Sequence, residues 1–228
     1  MSINAPFLAS TVQDRITTEL EGLYQRTRSR VSDADKKLGL ELLIEANCDL
    51  LDTCFGSIFE ELSRLQPSKD LLDANAVIED IKSKARHYIR WIGPFISNDR
   101  LPPVIAHYYT LMHQMDLGSG SKPYMAFNIT TDFAAVLKQA LAKLADGRVT
   151  DVQEIVDLLV EVFDETLQPL LIRPKELMKF NFVVNKTLDG VISIVKMLNK
   201  HMLRKLAPSI PMNLYPVVAR HLEEFLIA

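Results

Sequence analysis

The segment ELLIEANCDLLD, residues 41–52, is the part of the chain most suggestive of chemistry, because it holds four carboxylates and no lysine or arginine. Carboxylates this close together can bind a divalent cation or act as an acid and base pair. On a helix, at 100° per residue, all four fall within about one quarter of the circumference, opposite a leucine face. This acidic stripe consists of Glu41, Glu45, Asp49 and Asp52.

The length of the acidic stripe restricts what it can bind. At 1.5 Å per residue, Glu41 and Asp52 lie roughly 16 Å apart along the helix, so a single ion could contact at most two neighbouring carboxylates. Three interpretations stay open: a solvated helix face, a metal site completed by another helix, or a stripe paired with a basic partner. Because no second acidic motif accompanies it, we predict neither a metal nor a cofactor.

A basic ridge on a later predicted helix could be that partner. Lys82, Arg86 and Arg90 recur at regular four-residue steps and occupy about 80° of the helix. The acidic stripe and this ridge both follow the i, i+4 direction that interdigitates in the commonest helix packing. We therefore predict a cross-helix ion network, within one chain or across a dimer. Exposed pairs contribute only about 0–1 kcal/mol each, so the network would set register more than stability.

Aromatic and basic residues are concentrated next to the ridge, in the segment RHYIRWIGPF at 86–95, which holds the only tryptophan, Trp91. Trp, Tyr and Arg are common interface anchors, and rings beside cations also bind stacked or anionic ligands. His107 and Tyr108 belong to a second aromatic cluster nearby in sequence. The predicted ligand-binding or partner-binding residues are Lys82, Arg86, Arg90, Trp91, His107 and Tyr108.

Composition indicates an ordinary folded domain. The chain has 228 residues, of which 48% are hydrophobic and 24% are charged, and its net charge is −3. Neither a secretion signal nor an apolar stretch long enough to span a membrane is recognisable. Cys48 and Cys54 would project about 240° apart on one helix and could not pair, which favours a reducing, cytoplasmic location.

Apolar residues recur at three- and four-residue spacings almost throughout, and only eight glycines occur, which predicts an all-α fold. We expect one domain over residues 1–228, a bundle of about seven or eight helices with the long 174–206 helix near its centre. The segment GSGSKP at 118–123 is the most linker-like, and we interpret it as a loop with a possible subdivision there. The predicted helices are 10–30, 32–65, 71–91, 102–117, 131–145, 150–168, 174–206 and one from 213 to the end, with Thr150 and Gln153 as a capping box.

The helix at 151–168 excludes one class of function. It carries six acidic residues and no lysine or arginine, so it could not lie against DNA phosphates as a recognition helix. The helix that follows has the opposite balance, and we expect the two charge sets to neutralise each other partly along an antiparallel hairpin.

Catalytic motifs are absent from the sequence: it has no glycine-rich phosphate loop, no nucleophile elbow, no His-Glu-x-x-His and no Glu-x-x-His. The leading prediction is a cytoplasmic interaction or regulatory protein, a homodimer that acts through charged and aromatic helix faces without catalysis. The alternative is a helical-bundle enzyme or binding protein for a small anionic or apolar ligand. A deep cavity reached by Arg86, Arg90, His107 or Tyr108 would favour the alternative, and a flat two-fold interface would favour the leading prediction.

Overall fold

The computed structural model describes residues 6–118, 120–149 and 152–227, which form a helical bundle with one small sheet. The helices are α1 Asp14–Thr27, α2 Asp33–Leu51, α3 Ser57–Leu65, α4 Lys69–Ile92, α5 Leu101–Leu111, α6 Thr131–Ala145, α7 Val152–Leu167, α8 Arg173–Met178, α9 Phe182–Leu206 and α10 Tyr215–Glu223. The strands are β1 Phe7–Thr11, β2 Met112–Asp116, β3 Ser121–Asn128 and β4 Leu226–Ile227.

Two π-helical segments join α-helices into longer rods. Asp52–Gly56 continues α2 into α3, and Gln168–Ile172 continues α7 into α8. The helices of the described residues therefore form eight rods, and the prediction of a mostly all-α single domain with about seven or eight helices is confirmed. The rod from Asp33 to Leu65 begins at a capping box, in which Ser32 and Asp35 exchange side-chain and backbone hydrogen bonds.

The sheet was not predicted. Its strands run antiparallel in the order β2-β3-β1-β4, with Phe7 opposite Asn128 and Met112 opposite Met125. The predicted first helix at 10–30 included part of β1, and the predicted fourth helix at 102–117 included all of β2. Four of the five β1 residues are buried, so the strand has no alternating pattern and a short apolar run of this kind does not distinguish a strand from a helix.

The described residues of the linker-like segment at 118–123 belong partly to a turn and partly to a strand. Asp116 Oδ1 accepts hydrogen bonds from the backbone N–H groups of Gly118 and Gly120, at 2.9 and 3.2 Å. Both glycines have positive φ angles, 95° and 87°, which residues with a side chain rarely adopt. Gly118 and Gly120 therefore lie in the connection between β2 and β3, and Ser121 already begins β3.

The predicted single helix at 174–206 is divided, which corrects its start. After α8, Lys179 adopts a left-handed conformation with φ 47°, and α9 begins at Phe182. Asn181 caps α9 by accepting a hydrogen bond from Val184 N at 3.0 Å. Asn is a favoured cap, so this signal was present in the sequence. The predicted capping residue Thr150 lies outside the described residues.

Candidate functional site

The acidic stripe contacts mainly residues from the N-terminal part of the chain. Glu45 forms an ion pair with Arg15, and Asp49 accepts a hydrogen bond from Gln13 Nε2 at 2.9 Å. Asp52, at the end of the stripe, lies 2.7 Å from Lys82 Nζ. Glu41 is exposed. The stripe is thus partly solvated and partly paired, and it touches the basic ridge at one point.

Lys82 is the one buried member of the basic ridge. It is 6% exposed, and its ammonium group contacts Asp52 at 2.7 Å and Glu79 at 2.6 Å. Burial acts to lower the pKa of Lys82, but the hydrogen bonds to both carboxylates outweigh it, so the pKa lies above its usual value. Arg86 is half-buried and Arg90 is exposed, and neither forms an ion pair with any residue that the structure describes.

Trp91 packs as part of the bundle rather than as a free anchor. Its ring lies 5.4 Å from that of Phe95, centroid to centroid, and it contacts the main hydrophobic core from a half-buried position. The neighbouring rings of His87 and Tyr88 meet edge to face, with centroids 5.2 Å apart. Packing contacts of this kind account for most of the aromatic side chains in the segment at 86–95.

His107 and Tyr108 both bind the π-helical segment Gln168–Ile172. His107 Nε2 donates to Pro169 O at 2.7 Å, and the Tyr108 hydroxyl donates to Leu170 O at 2.5 Å. A π turn and a proline both disturb the regular helical hydrogen bonds, so carbonyl groups in such a segment need other partners. Two adjacent residues of α5 provide them.

An apolar cavity of about 200 Å³ lies at the centre of the bundle. Its wall is formed by α2, α4, α7, α8 and α9, with contributions from β1 and from single residues of the other elements. On the seam between α4 and α9 the wall residues Tyr88, Ile89, Val191 and Ile192 are only partly buried, so the cavity approaches solvent there.

Both π-helical segments contribute to this wall. Cys54 and Phe55 come from the first, and Leu170 and Leu171 come from the second. The Cys54 carbonyl accepts a hydrogen bond from His221 Nε2 at 3.1 Å, just as the second segment is bound by α5. Segments of π-helix are rare and are frequently found at functional sites. Their joint presence here marks the cavity as the candidate site.

Few polar groups reach the cavity, and the buried ones are already hydrogen-bonded. Asn47 Nδ2 donates to Leu43 O at 2.7 Å and to the Tyr108 hydroxyl at 3.3 Å. Burial raises the pKa of Tyr108 to about 12, and it raises that of Cys54 to about 12 as well. Both groups therefore stay protonated near neutral pH, and Cys54 is a poor nucleophile there.

Lys175 is the one charged side chain among the described residues of the wall. Its side chain is 18% exposed, and its ammonium group forms an ion pair with Asp189 of α9. The hydrogen bond from Lys175 lowers the pKa of Asp189 below its usual value. The aliphatic part of Lys175 can thus face the cavity while its charge stays paired and near water.

The cavity brings together few of the predicted site residues. Tyr108 lines it, whereas Arg86, Arg90 and His107 do not. The residues that sequence analysis missed are the aliphatic members of the wall, together with Lys175. Nothing distinguishes them in the sequence from ordinary core residues, because a cavity arises from the volume that packed side chains leave unfilled.

The described residues lack two further features that the sequence raised. No group of three or more His, Cys, Asp or Glu side chains is placed so that it could hold a metal ion. None of the helices in residues 6–118, 120–149 and 152–227 combines the length and apolar character needed to cross a membrane.

Comparisons of the chain with protein-family models, with curated proteins and with solved structures found no match.

Proposed function

We propose that this chain is a binding protein for a small apolar ligand, which it holds in the central cavity. The observation that carries the proposal is a cavity of about 200 Å³ with an almost entirely aliphatic and aromatic wall. An engineered apolar cavity of roughly 150 Å³ in another protein suffices to bind benzene. The proposal corresponds to the alternative prediction from the sequence, restricted to its apolar form.

The apolar wall of the cavity favours an apolar ligand. A ligand that covers this wall removes its own apolar surface from water, and each buried CH₂ group contributes about 0.8 kcal/mol. Because such a ligand binds only the folded state, its binding also stabilises the fold.

The polar groups of the wall define what the ligand can be. The Nδ2 group of Asn47 donates to Leu43 O and to the Tyr108 hydroxyl, and that hydroxyl donates to Leu170 O, so the buried N–H and O–H donors of these two side chains are already used. A ligand with internal polar groups would lose its hydration without compensation. The Lys175 ammonium group is paired with Asp189, but it has three N–H donors, so it can also accept an anionic end group as a second partner. An alkyl chain with one acidic head therefore fits the site best.

A thermal-unfolding assay tests this function. The probes are 1-decanol, which is apolar, and decanoate, which adds a carboxylate. We expect both to raise the melting temperature of the wild-type protein, because each binds only the folded state. No shift with either probe would contradict the proposal.

A matched pair of α4 variants tests where the probes bind. Ala85 lines the cavity, whereas Ala76 is exposed on the same helix. We expect Ala85→Leu to occupy part of the cavity and to reduce the probe-induced shift, and Ala76→Leu to retain the wild-type shift. Equal shifts in the two variants would place the probes elsewhere.

A second pair of measurements tests the role of Lys175. Lys175→Met keeps the aliphatic length of the side chain but removes its charge. We expect this variant to lose affinity for decanoate by about threefold to fivefold and to keep its affinity for 1-decanol. An equal loss for both probes would show that Lys175 acts through packing alone.

An interaction function through helix faces remains a second proposal, because Arg86 and Arg90 lack ion-pair partners among the residues that the structure describes. The homodimer and the cytoplasmic location also remain predictions. Light scattering of the purified chain, with Arg86→Glu and Arg90→Glu as variants, tests the dimer. If the wild type and both variants are monomers, the homodimer is excluded, and an interaction through Arg86 and Arg90 would need a different protein as its partner.

A further inference from the structure

The outer face of α9 exposes an unusual amount of apolar surface. Four of the ten large hydrophobic side chains that are exposed among the described residues lie on this helix: Phe182 at 74%, Val183 at 70%, Met197 at 61% and Ile194 at 41%. At 100° per residue they fall within a sector of about 120°, and they extend over about 22 Å of the helix. We call this surface the α9 outer face.

Cations lie in the same sector. Lys186 and Lys200 are exposed, and neither forms an ion pair with any described residue. Lys186 Nζ lies 5.9 Å from the centre of the Phe182 ring, so positive charge and apolar surface are directly adjacent. The acid on the exposed side of this helix, Asp189, is paired with Lys175.

The charges that flank the α9 outer face are mostly paired. On α7, Asp157 is paired with Arg204 and Asp164 with Lys196. Lys205 is shared by two acids at the start of α4, Asp70 and Asp73. Glu161 and Glu165 of α7 are exposed and have no ion pair with a described residue. The excess positive charge is therefore confined to the sector that Lys186 and Lys200 share with the apolar side chains, and it does not extend to the flanking helices.

We propose that the α9 outer face docks on the surface of an anionic lipid membrane. Exposed apolar side chains flanked by lysines are typical of helices that lie in the membrane interface. Charge argues against a second copy as the occupant, since two such faces would bring Lys186 and Lys200 against each other's cations. The inner side of α9 contributes Val191 and Ile192 to the cavity, so docking would bring the cavity close to the lipid.

Co-sedimentation with lipid vesicles tests the docking. The probes are vesicles of phosphatidylcholine alone and vesicles with about one third phosphatidylserine, at low and high salt. We expect the wild-type chain to bind the anionic vesicles more tightly, and the preference to weaken as salt screens the charges. Absence of binding to both kinds of vesicle would overturn the proposal.

Matched double variants locate the contact. Phe182→Ser with Met197→Ser removes apolar surface from the α9 outer face, and Leu72→Ser with Val136→Ser removes surface that is exposed elsewhere, at 65% and 54%. We expect the first pair to weaken binding by about tenfold or more and the second to leave it unchanged. Equal losses would overturn the assignment to α9.

A second set of variants separates charge from apolar contact. Lys186→Gln with Lys200→Gln should abolish the preference for anionic vesicles, while Lys138→Gln, at an exposed position on α6, should not. If light scattering shows a wild-type dimer that Phe182→Ser with Met197→Ser dissociates, the face is a self-association surface and the proposal fails. The decanol-induced shift of the same variants reports the cavity separately, so failure of docking and failure of ligand binding are distinguishable.

Discussion

The two faces of the rod from Asp33 to Leu65 differ in what the sequence reveals and in what the structure uses. The outer face carries the acidic stripe, whose central ion pair is exposed: the side chains of Arg15 and Glu45 are 52% and 41% accessible. The inner face carries Leu43, Asn47 and Leu50, which are buried and line the cavity.

The difference between the two faces shows that the clearest charge pattern in the sequence need not lie on the surface that contributes most to stability. Exposed ion pairs are screened by water and contribute about 0–1 kcal/mol each. Burial of one large aliphatic side chain contributes about 1.5–3 kcal/mol. We therefore expect changes on the inner face to affect stability and ligand binding far more than changes on the outer face.

The largest effect should come from shortening leucines of the inner side. Leu42 and Leu43 are 2% and 4% exposed, but only Leu43 lines the cavity. Both Leu→Ala changes should destabilise the fold by about 2–5 kcal/mol, with Leu42→Ala the costlier because it opens a new void in close-packed surroundings. Urea unfolding gives both values, and a costlier Leu43→Ala would contradict a cavity beside Leu43.

A smaller effect should come from the hydroxyl that connects the inner face to the π-helical segment. Tyr108→Phe removes the donor to Leu170 O and one acceptor of Asn47, which should destabilise the fold by about 1–3 kcal/mol. Tyr109→Phe is the control, because Tyr109 stacks its ring on Tyr24 and phenylalanine retains that contact. If both variants unfold at the same urea concentration, the hydroxyl of Tyr108 contributes no more to stability than that of Tyr109, and the prediction is wrong.

On the outer side, the strongest expectation concerns Asp35. Hydrogen bonds from Ser32, and then from Arg26, lower its pKa to about 2. A carboxyl whose pKa is depressed on folding stabilises the fold above its unfolded value of 3.8, and this contribution is lost as the pH falls through about 2. Asp35→Asn should cost about 1 kcal/mol near neutral pH and almost nothing near pH 2.

Urea unfolding across this pH range checks the prediction for Asp35. Asp33→Asn is the matched control, since Asp33 lies in the same first turn and is exposed. A cost of Asp35→Asn that does not change between neutral pH and pH 2 would contradict the prediction, because it would show that the charge of Asp35 contributes nothing.

Local signals predicted most of the helices, because caps and apolar spacing act over a few residues. The helix at 131–145 and the continuous rod ending at Leu65 are examples. The strands could not be predicted in this way, since β1 is stabilised by pairing with β3 more than a hundred residues later. Likewise Lys179 gives no sign in the sequence of its left-handed conformation.

The candidate site was predicted only at Tyr108. Most of its other members are leucines, isoleucines, valines and phenylalanines, which have the spacing of any buried helix face. Whether such faces meet closely or leave a space depends on side-chain volumes from several helices at once. Charge patterns, in contrast, are visible along one helix, which is why the outer face dominated the sequence analysis.

The smallest expected effect is the coupling energy of Glu45, a member of the acidic stripe, with its ion-pair partner. Because Glu45 pairs with Arg15 and not with Arg86, a double-mutant cycle of Glu45→Gln with Arg15→Gln should give a coupling energy of about 0.2–1 kcal/mol. The cycle of Glu45→Gln with Arg86→Gln should give none within error, since no ion pair joins them in the described residues. Coupling to Arg86 alone would instead support the cross-helix network that the sequence predicted, and would show that the stripe turns towards α4 in solution.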